Sequence, residues 1–324
     1  MKFKNRTINI SAPGKIVLCG EHAVLRKYPA ISLAINQRMF VKISQIDKNE
    51  VVINSKFGRI VLSNLQSMHN NNANSKESIP SWCKTIYFLL TKIAHRGLVI
   101  DVNSNIDDYG FGSSGATFSC ICCGLLLLNN NNLTKQRLLQ KTLELYFEYH
   151  DNATFKPSGI DIATSISGGI IYYFPSKQIV ENLPIELINE YRFFAIYTGH
   201  KTNTFDAKNI ADKVSNCNEI YKEIGKIVDN IYAYLKNNKR LKQLTFLDYL
   251  QKNQLLLEKL NLCDNDINNI MQQCKKQNIC AKISGSGLGD CVIAICEKNK
   301  DFKIENYKKI ELIIDCEGIK YEFD

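Results

Sequence analysis

The sequence predicts an α+β fold with room for two domains. Strand patterns crowd residues 7–62, helical spacing dominates 113–150 and 206–277, and 324 residues are more than one ordinary core requires. Residues 7–10 read as a strand running into Ser11-Ala12-Pro13-Gly14-Lys15, and a second apolar piece, 16–19, ends at Gly20-Glu21-His22. Residues 30–35 and 39–46 predict two more strands, and 50–62 a hairpin around Lys56-Phe57-Gly58. A polar, asparagine-rich loop comes next at 69–78. Trp82, Ile86, Leu89, Leu90 and Ile93 recur at helical spacing and predict a helix over 81–96; 98–102 predicts a strand.

That strand leads into DYGFGSSGAT, residues 108–117. Gly110, Gly112 and Gly115 remove side chains that would keep a ligand off the backbone. Ser113 and Ser114 then open an apolar helix, whose first amides have no intrahelical partner and whose positive end suits an anion such as phosphate. A serine-capped glycine turn is the plain alternative. An amphipathic helix over 134–150 has Thr134 as its N-cap, and Pro157-Ser158-Gly159-Ile160-Asp161 precedes Gly168-Gly169 and a strand over 170–174. Beyond a boundary near Pro184, which separates domains 1–184 and 185–324, come a strand over 191–197 and helices over 206–236, 247–260 and 264–277. Strands over 281–284 and 291–296 flank a second glycine loop, Gly285-Ser286-Gly287-Leu288-Gly289-Asp290.

Hydrophobic residues at 45% and charged residues at 23% match a soluble globular protein. The twelve cysteines sit in apolar segments such as Cys120-Ile121-Cys122-Cys123, without the spacing of a small secreted scaffold, so free thiols in a reducing, cytoplasmic setting are expected. The amino-terminal residues have no apolar stretch of signal-peptide length, and no run is long enough to cross a bilayer, so no membrane partner is expected. The net charge of +9 is spread over scattered lysines without interleaved aromatics. That pattern argues against nucleic acid and suits a polyanionic small-molecule substrate. A homodimer is admitted as an assembly.

Four features carry chemistry. Lys15 sets a long cation where it can reach a phosphate. The first glycine loop can cradle phosphates, with the Ser114 hydroxyl helping to hold magnesium. Asp161 can accept a proton from an attacking hydroxyl, and Gly285–Gly289 lets backbone pass close to a ligand. Singly they read as a surface lysine, a helix cap and a hairpin turn.

Together, SAPGKIVLCGEHAVL, GFGSSGAT, PSGIDIATSISGG and ISGSGLGDC resemble the motifs of the GHMP kinases, named for galactokinase, homoserine kinase, mevalonate kinase and phosphomevalonate kinase. The resemblance implies a ribosomal S5 domain 2-like amino-terminal half, a ferredoxin-like carboxy-terminal half and a cleft between them that binds ATP and Mg2+. It implies Asp161 and Lys15 as catalytic residues. Nucleotide contacts would come from Gly110, Gly112, Ser113, Ser114, Gly115, Gly285, Ser286 and Gly287, and substrate contacts from Glu21 and His22. Ser114 would ligate magnesium with an acidic partner, for which Glu148 is nearest in type while His150 competes for the position. The Gly-Glu-His segment is most similar to members that phosphorylate the hydroxyl of mevalonate. Gly289-Asp290 is closer to those acting on phosphomevalonate, which would need further cations, Lys201 and Arg38 being candidates. A non-catalytic ligand-binding relative is the reading from another class.

Overall fold

The computed structural model describes residues 6–63, 79–93, 97–154, 156–186, 188–237 and 246–324. The asparagine-rich stretch 69–78 and the last residues of the expected helix over 81–96 lie outside them. Two long strands, β1 (Thr7–Cys19) and β2 (Ala30–Ile46), pair antiparallel where four shorter ones are expected. The strand β1 runs through Pro13 and Gly14 by a register break, Pro13 facing Arg38 and Gly14 facing Ile35. Such an irregularity absorbs a proline without ending the strand.

Around this pair the first sheet has the order β12-β1-β2-β5-β3-β4. It contains the hairpin β3 (Glu50–Ser55) and β4 (Gly58–Ser63), then β5 (Gly97–Ser104), with β6 (Ile170–Phe174) and β7 (Ile179–Leu183) beside the start of β2. Helices α1 (Lys84–Ile93), α2 (Ser113–Asn129), α3 (Lys135–Tyr149) and α4 (Ile160–Ser167) accompany it, α2 and α4 lying against β1 and β2. Every residue of α2 from Phe118 to Leu128 is buried, so this helix has no solvent stripe.

The second sheet has the order β11-β8-β10-β9, all antiparallel, from β8 (Tyr191–Tyr197), β9 (Cys280–Ser284), β10 (Cys291–Glu297) and β11 (Lys308–Leu312). That is the 4-1-3-2 order of a ferredoxin-like sheet. The helix expected over 206–236 divides into α5 (Thr204–Asp212) and α6 (Cys217–Asn237), parted at Ser215-Asn216, whose side chains compete for backbone hydrogen bonds. Then come α7 (Phe246–Lys259) and α8 (Asn265–Lys276), both packed on β9. Pro184 falls between the two sheets, yet the chain end returns to the first: β12 (Lys320–Phe323) pairs with β1, and buried Arg38 forms an ion pair with Asp315. One contiguous buried cluster runs through both sheets. All twelve cysteines are free, and no described helix is long and apolar enough to cross a membrane.

Candidate active site

A cleft of about 240 Å³ opens where the two halves meet. One wall is the start of α2. Gly112 caps that helix at φ 76°, a left-handed conformation that glycine adopts freely. The Ala116 amide reaches back to the Gly112 carbonyl, so the three amides before it, of Ser113, Ser114 and Gly115, precede the first intrahelical bond. The missing side chain at Gly112 also makes room for Lys15, whose Cγ would lie 3.0 Å from a Cβ there. Backbone bonding fixes this pairing, because the Lys15 amide donates to the Phe111 carbonyl at 2.8 Å. Thus Lys15, Ser114 and the helix start share one wall of the cleft.

Asp161 stands in the first turn of α4, just after Gly159 at φ 83°. Its Oδ2 accepts a hydrogen bond from the Tyr146 hydroxyl at 3.2 Å. Gly115 packs directly on this carboxylate, since a Cβ there would sit 2.7 Å from Oδ2. Burial, and then the Asp161 charge, push the Tyr146 phenol far up, so it stays protonated. Burial likewise lowers His150, which remains a neutral neighbour.

The opposite wall carries Glu21, His22, Gly285 and Ser286. Glu21 is only 2% exposed; one oxygen pairs with the fully buried Lys282 and the other accepts from Asn253 Nδ2 at 3.0 Å. Two carboxylates therefore line the cleft, and they differ: Glu21 is paired with a buried cation, whereas Asp161, among the described residues, has a phenol as its side-chain partner. His22 Nε2 lies 2.7 Å from the Ser286 carbonyl oxygen. A carbonyl can only accept, so Nε2 carries the proton and Nδ1 is a bare acceptor, buried and without a partner among the described residues. Burial lowers the pKa of this ring and keeps it neutral.

The other expected residues are distributed around these two walls. Ser113 opens α2 with its carbonyl bonded to Thr117 Oγ1. Gly110 abuts Asp290, which burial pushes up against the opposing pull of Lys15 and Lys201. Gly287 packs on Leu262 behind the second loop. Glu148 is not brought to the cleft: its carboxylate pairs with Lys92 at 2.5 Å on the surface, while Tyr146 and His150 occupy the side of α3 toward Asp161. Sequence reasoning also passes over Tyr146, Lys282 and Asn253. A lysine in the middle of the otherwise apolar strand Cys-Ala-Lys-Ile-Ser was the available signal, because a buried charge demands a partner.

Residues 231–308 match the family model for the GHMP kinase C-terminal segment. The chain is 27% identical over 317 residues to a mevalonate kinase of Methanocaldococcus jannaschii, covering 95% of this chain and 98% of that one. It is 25% identical over 305 residues to one of Archaeoglobus fulgidus, covering 90% and 93%. In fold it matches the crystal structure of the Methanococcus jannaschii mevalonate kinase at a TM-score of 0.72 and 23% identity, over 94% of this chain and 98% of the other. A Streptococcus pneumoniae phosphomevalonate kinase, solved with phosphomevalonate and AMPPNP, matches equally in fold at 0.72, with 16% identity over 93% and 99%. By the family model the chain is thus similar to GHMP kinases over residues 231–308. Along nearly its whole length it is similar to mevalonate kinases.

Proposed function

We propose that the protein is an ATP-dependent mevalonate kinase, transferring the γ-phosphoryl group to the hydroxyl of mevalonate. The carrying observation is that Asp161, the cleft carboxylate with no ion-pair partner among the described residues, packs on Gly115 at the start of α2 and lines the same cleft as Lys15. The full-length relatives' name supports the acceptor.

In the proposed reaction the acceptor oxygen bonds to the γ-phosphorus as the bond to the β–γ bridging oxygen breaks. The hydroxyl proton passes to Asp161, and ADP leaves. Lys15 and the amides of 113–115 hold the phosphates in line and balance the charge that spreads over them. His22 Nδ1, the bare acceptor, receives a hydrogen bond from a substrate hydroxyl, while Gly285 and Ser286 close the far side. Magnesium, when bound with the nucleotide, would neutralise phosphate charge, and the Ser114 hydroxyl, on the wall that carries the helix start, would be a hard oxygen donor for it.

A phosphorylated acceptor fits less well. Arg38 is buried against Asp315, and Lys201 pairs with Asp108, which leaves Lys15 as the cation among the cleft-lining residues. The test is ADP release from purified protein with Mg-ATP, offered mevalonate and phosphomevalonate in parallel. Turnover with mevalonate, and loss of about three orders of magnitude in kcat for Asp161→Asn with nucleotide binding retained, is expected. Turnover with phosphomevalonate alone would replace the acceptor, and a fully active Asp161→Asn would remove the mechanism.

A further inference from the structure

We propose that Tyr146 is a positioning residue for Asp161: its hydroxyl occupies Oδ2, leaving Oδ1 as the oxygen presented to the acceptor hydroxyl. This rests on the reading of Asp161 as the proton acceptor. The contact is one hydrogen bond of 3.2 Å between side chains 15 positions apart, at the junction of α3 and α4. The tyrosine is 8% exposed, and its ring is fixed on two edges, by Phe118 at 5.0 Å and by His150 at 4.8 Å. Gly115 packs on the same oxygen and on Cβ and Cγ of Asp161, where even a methyl group would collide. Asp161 is thereby pinned between the first turn of α2 and a phenol that can only donate to it.

The other titratable groups around Asp161 do not duplicate this contact. His150, also from α3, is kept neutral by burial. Tyr173, from β6, donates to the Ser158 carbonyl at 2.7 Å and is thus committed to backbone. Lys15, from β1, shares the cleft wall and is itself committed to the phosphates in the proposed reaction.

The experiment is steady-state kcat and KM, for ATP and for the acceptor, in the wild-type protein, Tyr146→Phe and Tyr173→Phe. In Tyr146→Phe, which keeps the ring and removes only the hydroxyl, kcat is expected to fall about tenfold with KM for ATP unchanged. Tyr173→Phe is expected to leave kcat within a few-fold of wild type. A folded Tyr146→Phe protein that keeps the wild-type kcat, or loses it only together with a weakened KM for ATP, overturns the proposal, because packing alone would then explain the loss. Tyr146→Met carries the same test should the phenylalanine chain not fold. Asp161→Asn separates the two levels: full activity there removes the reading of Asp161 and this one with it. An inactive Asp161→Asn beside an unchanged kcat in Tyr146→Phe removes the role of Tyr146 alone.

Discussion

The two glycine loops have nearly the same composition and opposite uses of backbone. The first, at 110–115, runs into a helix and leaves the amides of that helix start facing the cleft. The second, at 285–290, joins two antiparallel strands and ties its groups to protein. The Leu288 amide donates to Leu262, the Asp290 amide donates to His200, and the Ser286 carbonyl receives His22. On the strand before it, the Ser284 hydroxyl accepts from the Val17 amide and Lys282 pairs with Glu21. Glycine richness alone thus does not mark a phosphate cradle; the element that the glycines lead into, helix or strand, decides whether donors remain free. In the proposed reaction the first loop meets the phosphates, while the second, besides lining the cleft through Gly285 and Ser286, clamps β1 onto the ferredoxin-like half.

The sharpest way to break this division is to cut the clamp at its most buried point. Lys282→Met leaves the Glu21 carboxylate buried beside only Asn253, which is expected to cost about 3–5 kcal/mol and to lower the urea midpoint accordingly. Adding Glu21→Leu removes the stranded charge and is expected to recover most of that loss. A Lys282→Met protein that keeps its midpoint but loses turnover would reverse the roles assigned to the two loops.

A smaller effect, on rate rather than stability, comes from one methyl group placed in each loop. In Gly115→Ala the new carbon falls 2.7–2.9 Å from three atoms of Asp161, so the carboxylate or the helix must shift. A displacement near an ångström in the reacting group is expected to cut kcat about a hundredfold. Gly285→Ala meets nothing within 4 Å, but its φ of 94° is strained for alanine, so roughly 1–2 kcal/mol of stability is lost while kcat stays within a few-fold. Steady-state kinetics and thermal melts on the two variants read both quantities, and equal kinetic damage would erase the distinction.

This asymmetry also explains which parts of the molecule were legible in the sequence. Lys15, the first loop and Asp161 each sit in a short local pattern, because a glycine next to the functional residue is what admits the ligand or the neighbouring side chain. The partners Tyr146, Lys282 and Asn253 announce nothing locally. Lys282 and Asn253 meet Glu21 across 261 and 232 residues, and Tyr146 falls in the apolar stripe of an ordinary amphipathic helix. Element type was legible wherever spacing was strong, as in β8, which spans the expected 191–197. The continuity of β1 through Pro13-Gly14 was not, since the break in register compensates for residues that normally end a strand. Short edge strands such as β11 and β12, KKIEL and KYEF, have too little apolar alternation to register.

The smallest effect concerns the pH dependence of the clamp. Burial lowers His22 below its ordinary value of 6.5, so the folded protein holds the neutral ring while the unfolded chain protonates near 6.5. The contribution is therefore complete above pH 6.5 and is lost as pH falls below it, at about 1.4 kcal/mol per pH unit until the folded value is reached. His150 is lowered in the same direction and adds its own acid-side slope. Gln at position 22 can keep an N–H for the Ser286 carbonyl without titrating, so His22→Gln is expected to flatten the stability profile between about pH 6.5 and 5 while His150 sustains the remainder. Denaturation midpoints at half-unit pH steps read the difference. An unchanged slope in His22→Gln would mean that the ring takes up its proton without leaving the clamp, and the second loop would then owe its hold on β1 to Ser284 and Lys282 alone.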